Sequence, residues 1–504
     1  MKSLNKVVFF PPLLFLVLTV SFSLWSPDLF LETVQGANNW VLNNFGWLFS
    51  WSTFAFLLIL IVIYFSPLAK IRIGGRSQQP LLSKWRWFAI TLCTTIATGI
   101  LFWGPAEPLY HLNTPPAGLG LEAASEAAAT FSMSTLFMHW TVTPYGIYTI
   151  AGLLFALSYY NLKQPFSLSA LLYPLVGKSA HGALGKVTDI VCLYGLVAGM
   201  AASLGTGILT LMGGMNTVLG IPKSNFLLGI IALAIVVTFI ISAASGLMKG
   251  IRIMSDINIR AFIGLALFIM LVGPTVYMFE VGWSGLKDFV INFLPRSISI
   301  DGAIDRPWQN SWTIFYWANW LAWTPITALF LGRLSLGYTV RDYIHFNLLL
   351  PSLFGGLWML IFGGTSMSFD LQQDGVLYQI LTTEGEQNVI FKILQDLPIG
   401  GIMSALFLII VFISYVTAAD SNTSAMSGIS TTGINPENPE APLWIKVIWG
   451  SLIGLVAWIM ITTAGVDGIR MISVLGGFPA LFLVIAVAIG MILLIFRKEE
   501  LDIE

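Results

Sequence analysis

The chain has 504 residues, of which 56 % are hydrophobic and 10 % charged, with a mean hydropathy of +0.83 and a formal net charge of -1. That balance excludes an ordinary soluble domain, in which about a quarter of the residues are charged, and without a basic excess there is no reason to expect a nucleic-acid partner. Cys93 and Cys192 both fall inside apolar runs, so two structural thiols are expected rather than a disulfide, a metal pair or a redox centre.

A helix needs about 20 mostly apolar residues to cross a bilayer. Runs of that kind lie near 8–25, 46–66, 87–105, 130–159, 188–219, 226–244, 258–281, 312–332, 344–364, 399–429, 444–463 and 473–496, twelve in all, so the expected fold is an all-α integral membrane protein. The first run follows Lys2 and Lys6 as a signal peptide would, but no small-residue cleavage motif comes after it, and it reads as a retained span. Beyond the second run, Ser66 to Arg86 carries Lys70, Arg72, Arg76, Lys84 and Arg86 with no acid, and the loop after the fourth carries Lys163, Lys178 and Lys186. Threading both termini on the cytoplasmic side of a plasma (inner) membrane puts these loops inside, as the positive-inside rule requires. The opposite side leans acidic, with Glu122 and Glu126 in one connection and Asp370, Asp374, Glu384 and Glu386 in another. The connections 282–311 and 365–398 are too short for independent domains, and GWSGLKDFVINFL in the first reads as an amphipathic helix along the membrane surface. No separate soluble domain and no sizeable regulatory tail are expected.

Two segments concentrate aromatic rings. In HWTVTPYGIYTI of the fourth run, Pro144 cannot donate to the carbonyl of Trp140, so a kink should leave Trp140, Tyr145 and Tyr148 on a deformed surface. In FYWANWLAWTP of the eighth, Tyr316, Trp320 and Trp323 recur at i, i+4 and i+7, and Trp317 precedes Trp320 by three. An interfacial belt gathers Trp and Tyr at headgroup level, but this row extends over more than two turns and is better read as a binding wall. Ring faces attract a cation that has no N–H to share, such as a methylated ammonium, with about 2 kcal/mol or more once water is excluded. The four histidines, His111, His139, His181 and His345, show no metal spacing such as HExxH, and no catalytic constellation suggests an enzyme.

These segments resemble the betaine/carnitine/choline transporter family over nearly the whole chain. FYWANWLAWTP followed by LGRLSLGYTVRDY is similar to its Trp-rich eighth span and basic turn, GLMKGIRIMSDIN to the inner loop before span seven, and TAADS to the polar break of span ten. The resemblance implies secondary active transport of a trimethylammonium-type solute. It also implies two peripheral helices (1–86), a first inverted repeat of spans three to seven (87–281), an outer connection with an interfacial helix (282–311), and a second repeat of spans eight to twelve (312–504), the whole assembled as a homotrimer. The implied substrate box falls on Trp140, Tyr145, Tyr148 and Trp320, with Trp317 and Trp323 on neighbouring faces. Asn319 stands where a further Trp is usual, which makes the box more polar. Glu107 and Tyr110, in WGPAEPLYH, resemble substrate-pathway residues, although a solvated carboxylate at the outer mouth is an equal reading of Glu107.

The family's glycine-rich stretch of span three is TIATG here, Thr95 to Gly99, with a single glycine, which leaves less room for a long carboxylate arm. Trimethylamine N-oxide therefore fits best, and glycine betaine next. By the same resemblance one sodium site would use Ser414 and Thr417 beside backbone near Cys93 and Ile96, and a second would use Ser203. Asn258 and Thr327 stand where the family's sodium-independent exchangers carry ion-replacing residues, which favours sodium symport over carnitine-type exchange. Proton coupling through Glu107 or Asp420, as in choline-like uptake, stays open.

Overall fold

The computed structural model describes residues 3–95, 99–244, 247–299, 302, 304–434 and 440–503, and Ile96 among the expected ion ligands lies outside them. Helices α1 (Lys6–Trp25) and α2 (Pro27–Phe65) come first, the latter opened by a proline at its first turn, where the missing N–H costs nothing. Next come α3 (Lys84–Thr95) and α4 (Gly99–Asn113), bent by 57° against each other, then α5 (Glu126–Trp140) and α6 (Val142–Ala156). The short α7 (Tyr173–Val176) leads to α8 (Ala183–Leu219), α9 (Asn225–Ala244), α10 (Leu247–Val272) and α11 (Thr275–Ile298). The second half holds α12 (Arg306–Gln309), α13 (Phe315–Leu334), α14 (Val340–Ile344), α15 (Leu350–Gln372), α16 (Val376–Thr383), α17 (Glu386–Asp396), α18 (Gly400–Ile429) and α19 (Leu443–Phe496). The only strands among the described residues are β1 (Ser3–Leu4) and β2 (Thr431–Thr432), a two-residue antiparallel pair that ties the start of the chain to the end of α18.

The helix breaks have local causes. At Thr141, φ -120° and ψ -117° separate α5 from α6, three residues before Pro144, whose ring nitrogen cannot serve the Trp140 carbonyl. In α19 the break is Gly465, at φ 56° and ψ -135°, a conformation that a side chain would strain. Between α10 and α11 it falls at Gly273 and Pro274, so the expected boundary at 281/282 lies inside α11, and GWSGLKDFVINFL continues a helix that begins at Thr275.

Nine helices among the described residues are long and apolar enough to cross a membrane, or ten if α3 and α4 form one bent span. That is fewer than the twelve expected. The 54-residue α19 counts once although Gly465 divides it, and α13 falls short of the mark because Trp, Tyr, Asn and Arg side chains lower its hydropathy. The peripheral helices α1, α9 and α10 turn Leu14, Leu233, Ile241 and Leu271 outward, a surface suited to lipid. The centre is formed by α6, α8, α13 and α19, and nearly every residue of α13 is buried. Lipid offers no hydrophobic drive between helices, so close approach of small residues must supply the packing. Gly195 of α8 and Gly476 of α19 do so: a Cβ on either would come within 2.9 Å of the other's carbonyl oxygen.

The two ends of the chain and its basic loops meet on one face of the bundle. Asn161 donates to the carbonyls of Arg72 (3.0 Å) and Leu501 (2.7 Å), and the Tyr338 hydroxyl donates to Leu82 O at 2.7 Å. Asp502 accepts from Arg76 Nε at 2.8 Å.

Candidate functional site

Where α3, α4, α5, α6, α8, α13 and α19 converge lies a cavity with buried aromatic walls. Trp140, Tyr148, Trp320 and Trp323 line it, joined by Trp103 and Phe315, and Thr94, Thr95, Ser203, Thr206 and Asn319 supply its polar groups. Trp320 is the hub of the rings: its centroid lies 5.2 Å from Tyr148, 5.6 Å from Trp140 and 5.8 Å from Tyr145, the first two edge to face. Gly99 makes room for this arrangement, because a Cβ there would stand 2.8 Å from Cη2 of Trp140. The one glycine of the Thr95–Gly99 stretch is thus the one beneath the cage. Asn319 accepts from Ser473 Oγ at 3.0 Å and makes this wall polar.

Behind Trp140 stands a buried network. Glu107 Oε2 accepts from Trp140 Nε1 at 2.7 Å and from the Tyr316 hydroxyl at 2.5 Å. Its Oε1 lies 2.7 Å from His139 Nδ1 and 3.2 Å from His111 Nε2, and His139 Nε2 meets Thr313 Oγ1 at 3.1 Å. Glu107 is fully buried, so it is no solvated carboxylate at an outer mouth. Spacing along the chain gave no hint that His111 and His139 converge here. The three side chains could hold a metal by proximity, their ligand atoms lying within 4.8 Å of one another. Both carboxylate oxygens, however, already accept two hydrogen bonds each, the arrangement of a network that fixes the two imidazoles and the Trp140 ring.

The other expected site residues are dispersed. Tyr145 is buried behind Trp320 and does not line the cavity; Trp317 is turned to the far side of α13, its ring 5.8 Å from His139. The Tyr110 hydroxyl donates to Glu386 at 2.7 Å, one turn beyond Glu107 on α4 and away from the cage. Ser203 lines the cavity. Ser414 Oγ lies 2.9 Å from Asn258 Nδ2 and donates to Ile410 O, and Thr417 Oγ1 donates to Ile413 O at 2.8 Å. The Cys93 thiol donates to Ser255 O at 3.4 Å, leaving only backbone at that residue to serve a hard cation. Ser414, Thr417, Cys93 and Asn258 are all buried at the junction of α3, α10 and α18. Trp103, Phe315 and the two histidines are contributors to which the sequence pattern assigned no role, and Tyr316, read as part of the Trp-rich wall, instead donates to Glu107 behind it.

A helical bundle with a lipid-compatible exterior and an aromatic cavity buried among broken helices has the features of a multi-pass membrane transporter. The chain belongs to the family described as BCCT, betaine/carnitine/choline family transporter, whose profile matches residues 7–500. It is 30 % identical to the glycine betaine transporter OpuD of Bacillus subtilis over 97 % of this chain and 94 % of the relative. It is 29 % identical to the ectoine/hydroxyectoine transporter of Virgibacillus pantothenticus, over 95 % and 94 %, and 30 % identical to the high-affinity choline transport protein of Escherichia coli K12, over 97 % and 72 %.

Proposed function

We propose that this protein is a secondary active transporter that imports a small trimethylammonium-type solute, of the trimethylamine N-oxide or glycine betaine class, by sodium symport with alternating access. The observation that carries the reading is the cavity walled by Trp140, Tyr148, Trp320 and Trp323, in a position screened from water. An onium head with no N–H to donate is held by ring faces, and several faces around one head act together. Of the hydroxyls on the wall, those of Thr95 and Thr206 donate to backbone carbonyls, whereas that of Thr94 meets no partner and is left to donate to the solute's oxygen.

The proposal includes twelve spans: the ten candidates, α13, and the second segment of α19 beyond Gly465. It also includes the family's five-plus-five inverted repeat, a homotrimer, and cytoplasmic placement of the face that carries both termini. Sodium would be held by Ser414 and Thr417 with backbone of α3, supplying a charge that couples solute entry to the ion gradient. The buried cluster of Glu107, His111 and His139 favours one second reading, coupling to protons. Counterflow in proteoliposomes, with labelled trimethylamine N-oxide against a panel of methylated amines, tests the substrate class. Uphill uptake that collapses with the sodium gradient supports symport, collapse with the proton gradient alone supports the second reading, and obligatory exchange without either points to an antiporter.

A further inference from the structure

Arg470 follows Ile469, a residue of the cavity wall, on α19. Its guanidinium carbon lies 4.7 Å from the ring centre of Trp312, 5.2 Å from Trp103, 5.7 Å from Phe315 and 5.9 Å from Tyr110. Trp103 and Phe315 are themselves walls of the aromatic cavity, so the cation stands one ring away from it. Arg470 and Phe315 also line a second, separate depression of about 1190 Å³. The guanidinium is therefore posted between the two spaces.

Its hydrogen-bonding capacity is largely unspent. Nε and Nη2 are buried with no partner, and Nη1 reaches only Asp467, at 3.8 Å, whose side chain is 82 % exposed. Four rings hold the charge in place, but rings do not satisfy N–H donors, and a buried donor left unmet is costly. Glu386 is engaged by Tyr110, and both oxygens of Glu107 are filled by other donors. The cavity is consequently polarised: a carboxylate backs the Trp140 wall, and a guanidinium with free donors backs the Trp103 and Phe315 walls.

We propose that Arg470 is a specificity-determining residue that selects zwitterionic or strongly dipolar methylammonium solutes over simple cations. The inference rests on the methylammonium reading of the cavity and refines its substrate class. A solute whose onium head sits among Trp140, Tyr148 and Trp320 presents its anionic oxygen toward the Trp103 and Phe315 walls, where the charge of Arg470, one ring away, attracts it through a medium of low dielectric. A choline-like cation brings no acceptor of that strength and meets a like charge.

The test is equilibrium binding of glycine betaine and of choline to the purified full chain, followed by tryptophan fluorescence. Wild type is expected to favour glycine betaine by about tenfold or more, and Arg470→Gln to bring the ratio within about threefold, chiefly by weakening glycine betaine, as loss of a nearby opposite charge implies. Arg470→Lys should keep the preference. Equal affinities in wild type, or an unchanged ratio in Arg470→Gln, overturn the inference while leaving the methylammonium reading intact. Binding of neither compound, nor of trimethylamine N-oxide, removes that reading and the inference with it. If Arg470→Gln does not purify as a monodisperse species, the wild-type ratio and Arg470→Lys decide.

Discussion

Trp320 and Trp317 stand three residues apart on one helix and face different surroundings, which separates recognition from packing. Trp320 lines the cavity and meets three other rings, whereas Trp317 is buried against His139. Trp320→Ala is expected to weaken binding of a methylated amine roughly 30-fold, the equivalent of about 2 kcal/mol of cation–π attraction. Trp317→Phe should leave affinity within about twofold, since it fills most of the same volume outside the cavity. Titration of both variants with the preferred solute checks the contrast, and equal losses would refute it. Glu107 acts at one remove, through Trp140. Glu107→Gln keeps one acceptor oxygen and replaces the other with a donor, so two of four buried donors lose their partner at about 1–3 kcal/mol each. A lowered melting temperature together with weaker solute binding is expected from thermal unfolding and titration of the same preparation. The rings at 320 and 323 were legible in the sequence because helical spacing orders them, and those at 140 and 148 because Pro144 marks a kink between them. Glu107 with His139, and Trp103 with Arg470, were not, since each pair lies on separate helices brought together only by tertiary packing.

Breaks in the helices do as much for the cavity as the rings do. The kink at Thr141 could be read from Pro144 alone, because the loss of one backbone donor is a local event. The break at Gly465 carries no such mark, since an isolated glycine in an apolar run signals nothing until its φ of 56° is known. The Thr95–Gly99 stretch joins both cases: its single glycine was visible, but not that it lies under the Trp140 ring. Gly99→Ala places a methyl 2.8 Å from Cη2 of Trp140 and must displace that ring. The expected outcome is a loss of solute affinity of about tenfold with the helical circular-dichroism signal unchanged, a ring shift costing about 1–2 kcal/mol at the cage. Unchanged affinity would show that Trp140 has slack. The amphipathic pattern at 282–294 was read as a separate surface helix because periodicity reports a face, not where the helix starts. In the structure Thr275 opens it, just after Pro274.

Across the bundle, the two termini are fastened to the same face by unlike means, a two-residue strand pair at one end and the Arg76 contact with Asp502 at the other. The Arg76 guanidinium holds the Asp502 carboxyl below the usual carboxylate range. A lowered value means that the contact contributes fully above the carboxylate's unfolded pKa and is lost as pH falls through the lowered one. Hydrogen exchange across 498–503, corrected for intrinsic rates, should be slower at pH 6 than at pH 3 in wild type and independent of pH in Asp502→Asn. Composition and the spacing of apolar runs were enough to read an all-α membrane bundle; the expected twelve spans are not all met among the described residues, because polar rings lower the hydropathy of α13 and α19 counts once although Gly465 divides it.

The Phe315 ring belongs to both the aromatic cavity and the wider depression beyond Arg470. A partition one side chain thick can be cleared by swinging that side chain, an event of nanoseconds in an open setting and slower in a packed one, rather than by tilting whole helices over microseconds to milliseconds. If the proposed alternating access operates, admission and transit would run on separate clocks, a quick latch at the doorway and a slow rocking of the frame behind it.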